Sequence, residues 1–167
     1  GSKTVSLTQG EMKLQGFTED EKARASGSIV CDFSELITER YESTETAFSL
    51  GDDSGSFPAY LQAWSRQFTS KPDLKDYRLS INIAKGLAPG TYSFSPDSKQ
   101  VRIFFFNIPE SLVWPADSGT ITFKSIPNFE SFAGKLSGQF NFTATVELDD
   151  GRVRVLKVEN GIFDMER

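Results

Sequence analysis

The chain contains no histidine, and Cys31 is the single cysteine among its 167 residues. Lacking histidine, it has neither the commonest general base nor the commonest metal ligand. One cysteine makes neither an internal disulfide nor a cysteine-based zinc site. No apolar run approaches the ~18 residues that a membrane-spanning helix requires. Basic residues are not in excess: 18 Lys and Arg stand against 23 Asp and Glu. A phosphate-binding surface normally needs a basic excess, so no nucleic-acid partner is expected. The chain also has no Gly-x-Ser-x-Gly elbow, phosphate loop or dinucleotide fingerprint. No cofactor and no internal repeat are expected.

What remains is enough for a core. Leu, Ile, Val and Phe number 12, 9, 8 and 15, about 26% of the chain against the ~20% below which disorder becomes the default. The opening Gly1-Ser2 reads as the scar of a cleaved tag, and residues 3–167 read as one domain. A start at Lys3 fits a chain whose signal peptide has been removed. The 20 serines and 12 threonines suit an extracytoplasmic β protein. The expected location is periplasmic, outer-membrane-anchored or extracellular, with a lipid anchor upstream of Lys3.

Alternation of apolar and polar residues dominates the pattern, as it does where successive side chains of a strand face opposite ways. From Leu136 to Leu148 one face carries Leu136, Phe140, Phe142, Ala144 and Val146, and the other carries Gln139, Asn141, Thr143, Thr145 and Glu147. Asp149-Asp150-Gly151 is a tight-turn signal. From Arg152 to Val158 the apolar residues change face, which places a bulge near Val155-Leu156. Alternation also marks Tyr77–Ile83, Thr91–Phe94, Val101–Ile108 and the neighbourhood of Ile121 and Phe123. Strands are further expected at Met12–Leu14, Ile29–Phe33 and Thr46–Leu50. Phe57–Phe68 fits a helical face (Phe57, Leu61, Trp64, Phe68) and a strand face (Tyr60, Trp64, Phe68), with the β surroundings favouring the strand. Thr18–Ser26 reads as a long hairpin loop or a helical turn. Short strands with turn signals at ~8–12-residue spacing indicate an all-β protein: an antiparallel two-sheet β-sandwich, or alternatively a closed or partly closed, calycin-like β-barrel.

The order Gly90-Thr91-Tyr92, Gly119-Thr120-Ile121-Thr122-Phe123, Leu136-Ser137-Gly138-Gln139-Phe140-Asn141-Phe142 and Asn160-Gly161-Ile162-Phe163 resembles a group of poorly characterised bacterial secreted or lipid-anchored β proteins. The likeness spans Tyr77–Phe163. It implies an envelope location and a β-sandwich-like fold, and carries over no catalytic residue. Within it, Asn160-Gly161 lies too close to the end of the chain to turn into a return strand and is expected as a bulge.

The most unusual local feature is Phe104-Phe105-Phe106. Val101, Ile103 and Phe105 can face a core, which leaves Phe104 and Phe106 on the opposite face. Either that face is covered, for instance by Phe57–Phe68, or it is an apolar patch that binds a ligand or partner. Trp114 is expected in a loop, Pro109–Ser118. There it either serves as a platform with Trp64 and Tyr60 for a carbohydrate, peptide or small apolar ligand, or caps one end of the core. Tyr77 and Tyr92 are weaker members of that set. Asp52-Asp53-Ser54-Gly55 and Asp149-Asp150-Gly151 read as turns rather than metal loops. Cys31 reads as a buried small hydrophobe. Asn141-Phe142-Thr143 is a formal glycosylation sequon placed mid-strand. The leading functional expectation is a non-catalytic envelope or extracellular binding module acting through aromatic and apolar contacts. One alternative is a structural or assembly subunit pairing through a strand edge or apolar patch. Another is a hydrolase using carboxylates alone.

Overall fold

The computed structural model describes residues 5–6, 23–37, 39–43, 45–69 and 74–167. The expected Met12–Leu14 strand, the tag-like Gly1-Ser2 and most of Thr18–Ser26 lie outside the described residues. The strands are β1 (Val5–Ser6), β2 (Ala23–Phe33), β3 (Tyr41–Ser43), β4 (Glu45–Gly51), β5 (Tyr60–Phe68), β6 (Asp76–Ala84), β7 (Gly90–Phe94), β8 (Val101–Asn107), β9 (Leu112–Ser125), β10 (Lys135–Glu147) and β11 (Val153–Glu166). A 3-10 turn, Ile108–Glu110, links β8 to β9.

These strands close into an eight-stranded antiparallel barrel in the order β9-β10-β11-β2-β4-β5-β6-β8, with β8 pairing back onto β9. The closing ladder runs from Phe104↔Pro115 to Asn107↔Leu112. This corrects the two-sheet sandwich in favour of the closed-barrel alternative. Two sheets can be traced, but β2 and β9 each run through both. Residues 26–33 of β2 pair with β11, and residues 23–25 pair with β4. Residues 112–115 of β9 pair with β8, and residues 116–125 pair with β10. A strand that crosses between sheets turns what would be two pairs of edges into a continuous ladder.

The crossings have local causes. Gly27 sits at the corner of β2 with φ +106°, and a Cβ there would stand 1.9 Å from the Asp164 carbonyl oxygen. Only glycine combines that backbone angle with that approach. In β9 the pairing with β10 slips between Thr143↔Ser118 and Ala144↔Ala116. The inward residues accordingly change from Leu112, Trp114 and Ala116 to Ile121 and Phe123.

A second slip lies in β11. Phe140 pairs with Gly161 and Phe142 with Val158, so Asn141 faces both Glu159 and Asn160. Asn160 has φ 55°, a left-handed conformation that asparagine tolerates. The expected bulge at Asn160-Gly161 is therefore found. The one expected near Val155-Leu156 is not, because the ladder from Val158 to Val153 is unbroken. Val153 and Val155 simply face outward, exposed at 57% and 48%.

The interior is packed with side chains. Phe33 meets Phe105 edge-on at 4.6 Å, Tyr77 stacks on Phe105 at 5.7 Å, and Phe123 meets Phe163 at 5.6 Å between ring centroids. Such pairs add ~0.5–1.5 kcal/mol to what their burial contributes. At the Ile83 end, the loop 126–134 folds inward and Phe132 stacks on Phe48. Asn128 shapes that loop by accepting from the Glu130 and Ser131 amides at 2.9 Å each.

Phe57–Phe68 is not a helix. Tyr60–Phe68 is strand β5, within the same sheet as β8, and it helps to cover the Phe104 face through Trp64, which packs in one cluster with Phe106. Its apparent helical spacing has a plain cause. Leu61 and Ala63 face the core while Gln62 and Trp64 are buried on the other side, so both faces are removed from water.

Candidate functional site

The aromatic residues singled out from the sequence do not form a surface platform. Trp114 lies in strand β9 rather than in a loop, and its side chain is inside the barrel with no exposure. It belongs to the opposite end from loop 126–134. There the Arg154 guanidinium lies 5.4 Å from the indole centroid, with Glu110 at 3.3 Å and Glu35 at 3.7 Å from Arg154. Phe106 and Trp64 are buried on the outer side of the sheet in one cluster with Ala47 and Val113, and Phe104 packs on that cluster half-buried. Tyr60 is half-buried at the start of β5, edge-on to Phe57 at 5.6 Å. Burial, then the charge of Asp52, raises its phenol pKa.

The chemistry-bearing groups of the interior are quiet. Burial pushes the Cys31 thiol far up, and the charge of Asp32 pushes in the same direction. A thiol held protonated is a poor nucleophile and a poor metal ligand. Burial likewise raises the Tyr41 phenol, which meets Ser65 Oγ at 2.9 Å while that hydroxyl donates to the Leu79 carbonyl. Among the described residues, no group of three or more Cys, Asp and Glu is gathered as a metal site. Asp53 accepts from the Gly55 amide and Asp150 from the Arg152 amide, as turn residues do. Asp76 is held by Arg66 at 2.8 Å and Arg78 at 3.0 Å. No helix among the described residues is long and apolar enough to cross a membrane.

Three features do reach solvent. The first is a half-open apolar depression of about 180 Å³ at the Ile83 end, walled by Leu61, Ile83, Leu87, Ile126 and Phe129. The second is a polar band across the outer faces of β7, β9, β10, β11 and β2. Thr91 meets Thr122 at 2.9 Å, Asn141 Nδ2 donates to Thr120 Oγ1 at 3.0 Å, and Asn160 Nδ2 donates to Asp32 Oδ2 at 2.9 Å. Two depressions, of about 460 and 310 Å³, flank the Asn160 bulge and share Asn141 and Asn160.

The third is an open strand edge. The Lys157 carbonyl accepts from the Ser34 amide, and the Lys157 amide donates to Ser34 Oγ, both at 2.9 Å. Those groups point away from β10, and an antiparallel strand repeats its backbone direction every second residue. The amides and carbonyls of Val155 and Val153 therefore point away from β10 as well. The hairpin agrees: Leu148 donates to Arg152 across the turn at 2.7 Å, which sets Arg154, not Val153, as the next bonded pair with β10. The pairing of β2 with β11 stops at Val158↔Phe33. Among the described residues, nothing pairs with the Val153 and Val155 backbones on the side away from β10.

Sequence reading passed over this edge because the two valines looked like core residues out of phase. It also passed over the Asn141–Asn160 neighbourhood, although the Asn-Gly pair and the parity of β10 were both visible. Comparison with known protein families, curated proteins and solved structures finds no match for the chain.

Proposed function

We propose that the chain is a non-catalytic structural or assembly subunit of a cell-surface complex, and that it takes up a β-strand of a partner protein on the open edge of β11. The observation that carries this reading is the edge at Val153 and Val155, whose outward backbone groups meet no partner among the described residues and whose apolar side chains are half-exposed. A strand added there gains main-chain hydrogen bonds, and its side chains can pack on the two valines. Most natural edges are blunted by charge, by proline or by a covering loop. Here Arg154 is turned inward onto Trp114, Glu35 and Glu110, so the exposed side chains between Arg152 and Lys157 are Val153 and Val155.

A different protein suits this edge better than a second copy. Pairing two copies about Arg154 would set Arg154 opposite its own copy and gather Arg152 and Lys157 of both along the same short ladder, and like charges brought together destabilise a sheet. The burial of Trp114, Phe106 and Trp64 takes support away from a binding module built on an aromatic platform. The envelope location belongs to the same proposal and rests on the sequence likeness described above.

The test is a photo-crosslinking residue placed at Val155 in the cell envelope of the native host, paired with Val155→Pro. Proline removes the outward amide without touching the β10 ladder. A discrete partner that crosslinks at position 155, and that no longer co-purifies with Val155→Pro while still co-purifying with Ile162→Lys, supports the reading. A chain that yields no crosslinked partner, or a partner retained by the folded Val155→Pro variant, overturns it.

A further inference from the structure

We propose that the bulged outer face of the sheet, centred on Asn141 and Asn160, is a binding groove for a neutral oligosaccharide. It is separate from the β11 edge and does not depend on the assembly role.

The groove is made by the β11 bulge. Because Asn141 faces Glu159 and Asn160 together, the ladder opens there and the surface dips on either side. The two depressions run on from one another, from Thr122, Gln139 and Ile162 at one end to Ser118, Thr143 and Lys157 at the other. The stretch of β10 between Gln139 and Thr143 spans about 13 Å at the usual strand rise, which suits a short chain of rings better than a single ring.

The chemistry of the lining selects the ligand class. A sugar presents neighbouring hydroxyls that each donate and accept. Asparagine and glutamine amides do both from one plane, and threonine hydroxyls do both from one atom. Asn141 and Asn160 each spend one N–H on a neighbour, Thr120 and Asp32 respectively, which leaves each amide oxygen and a second N–H for a ligand. Those same bonds hold the two amides in place, so binding orders little that is not already ordered. Asp32, which holds Asn160, is met by Arg40 at 3.4 Å, and the two charged residues that line the groove itself, Lys157 and Glu159, are of opposite sign, so the groove carries no net charge. A strongly charged ligand meets no excess of either sign there, and an apolar one finds no enclosure. Ile162, 52% exposed at the rim, offers apolar area to the C–H face of a ring.

The test is a titration of the ¹⁵N-labelled protein with a panel of cello-, malto-, manno- and chito-oligosaccharides, read by amide shifts. The expected result is that at least one of them moves the amides of residues 118–122, 139–143 and 157–162. Asn141→Ala and Asn160→Gly should each weaken that binding about ten-fold, the equivalent of ~1.4 kcal/mol. Glycine is chosen at 160 because it keeps the left-handed backbone of the bulge and so spares the fold. Binding should persist in high salt, as it does for an uncharged ligand. No shift with any member of the panel, shifts elsewhere on the barrel, or folded variants that bind like the parent would each overturn the proposal. Val155→Pro should bind saccharide normally, which separates failure of this groove from failure of the β11 edge.

Discussion

Arg154 closes one end of the barrel by lying over Trp114, its guanidinium carbon 5.4 Å from the indole centroid, while Glu110 and Glu35 hold it from the other side. A cation over an aromatic face contributes ~0.5–2 kcal/mol depending on how dry it is. Arg154→Ala is expected to lower stability by about 1–2 kcal/mol in urea unfolding and to shift tryptophan emission to the red as water reaches the indole. Arg154→Lys should recover part of the loss, since it keeps the charge and gives up the planar fork. Trp114→Phe tests a separate point. The Trp114 Nε1 is buried without a hydrogen-bond partner, so that replacement should cost only the lost volume and contacts.

Gly27 is the least replaceable residue of the sheet corner. Alanine there would bring Cβ to 1.9 Å from the Asp164 carbonyl oxygen at φ +106°, so β2 and β11 would have to separate. Gly27→Ala is expected to cost several kcal/mol, about 3 or more, or to prevent folding. Gly55→Ala is the control. It shares a positive φ, +85°, but has open space around it, and about 1 kcal/mol is expected from the backbone alone. Denaturant midpoints of the two variants make the comparison.

The outer cluster is a stability element as well as the former binding candidate. Phe106 is fully buried beside Trp64, Ala47 and Val113, while Phe104 is only partly covered. Phe106→Ala is expected to cost ~3–5 kcal/mol, as buried Phe truncations do. Phe104→Ala should cost distinctly less. Equal costs by chemical denaturation would mean that Phe106 is not in a drier place than Phe104.

Two of the raised interior groups, Cys31 and Tyr41, give the protein an alkaline limit. Cys31 and Tyr41 keep their protons in the folded state above the ordinary values of 9.0 and 10.0, chiefly because burial disfavours the ions. The unfolded chain releases those protons at the ordinary values, so above them the folded state binds more protons and stability falls as pH rises. Their contribution is whole below about pH 9 and declines beyond it, first through Cys31 and then through Tyr41. Urea midpoints measured from about pH 8 to about pH 10.5 should fall, and Cys31→Ala should remove the earlier part of the fall. For the same reason, a thiol reagent at mildly alkaline pH should label Cys31 at the rate of unfolding rather than at the rate of a free thiol.

The residues whose placement was readable in advance are those with one wet face. Leu136–Glu147 and Gly90–Phe94 alternate because water on one side and core on the other act on successive side chains, so strand and facing could be read together. The turn at Asp149-Gly151 was readable because an aspartate side chain bonds the backbone of such a turn and glycine takes its positive φ without strain. Reading failed where a second covering layer removes the polar signal. Tyr60–Phe68 looked partly helical because Gln62 and Trp64 are buried opposite Leu61 and Ala63. Trp114 reads from sequence as part of a loop, Pro109–Ser118, because Pro109 ends the preceding strand, yet β9 begins at Leu112 and accommodates Pro115 near its crossing point.

Composition and alternation alone thus determined that this is an all-β protein without histidine chemistry, cysteine-based zinc or a membrane-spanning helix, because those properties are local or additive along the chain. Whether the strands made a sandwich or a barrel was decided by the tertiary structure, since closure depends on β8 meeting β9 and on two strands bending through a corner at Gly27 and near Ala116. The same holds for the exposed surfaces. Val153 and Val155 are ordinary strand residues in sequence, and Asn141 and Asn160 are 19 positions apart. Only register, a relation between distant segments, leaves the outward backbone of the first pair without a partner among the described residues and sets the second pair side by side.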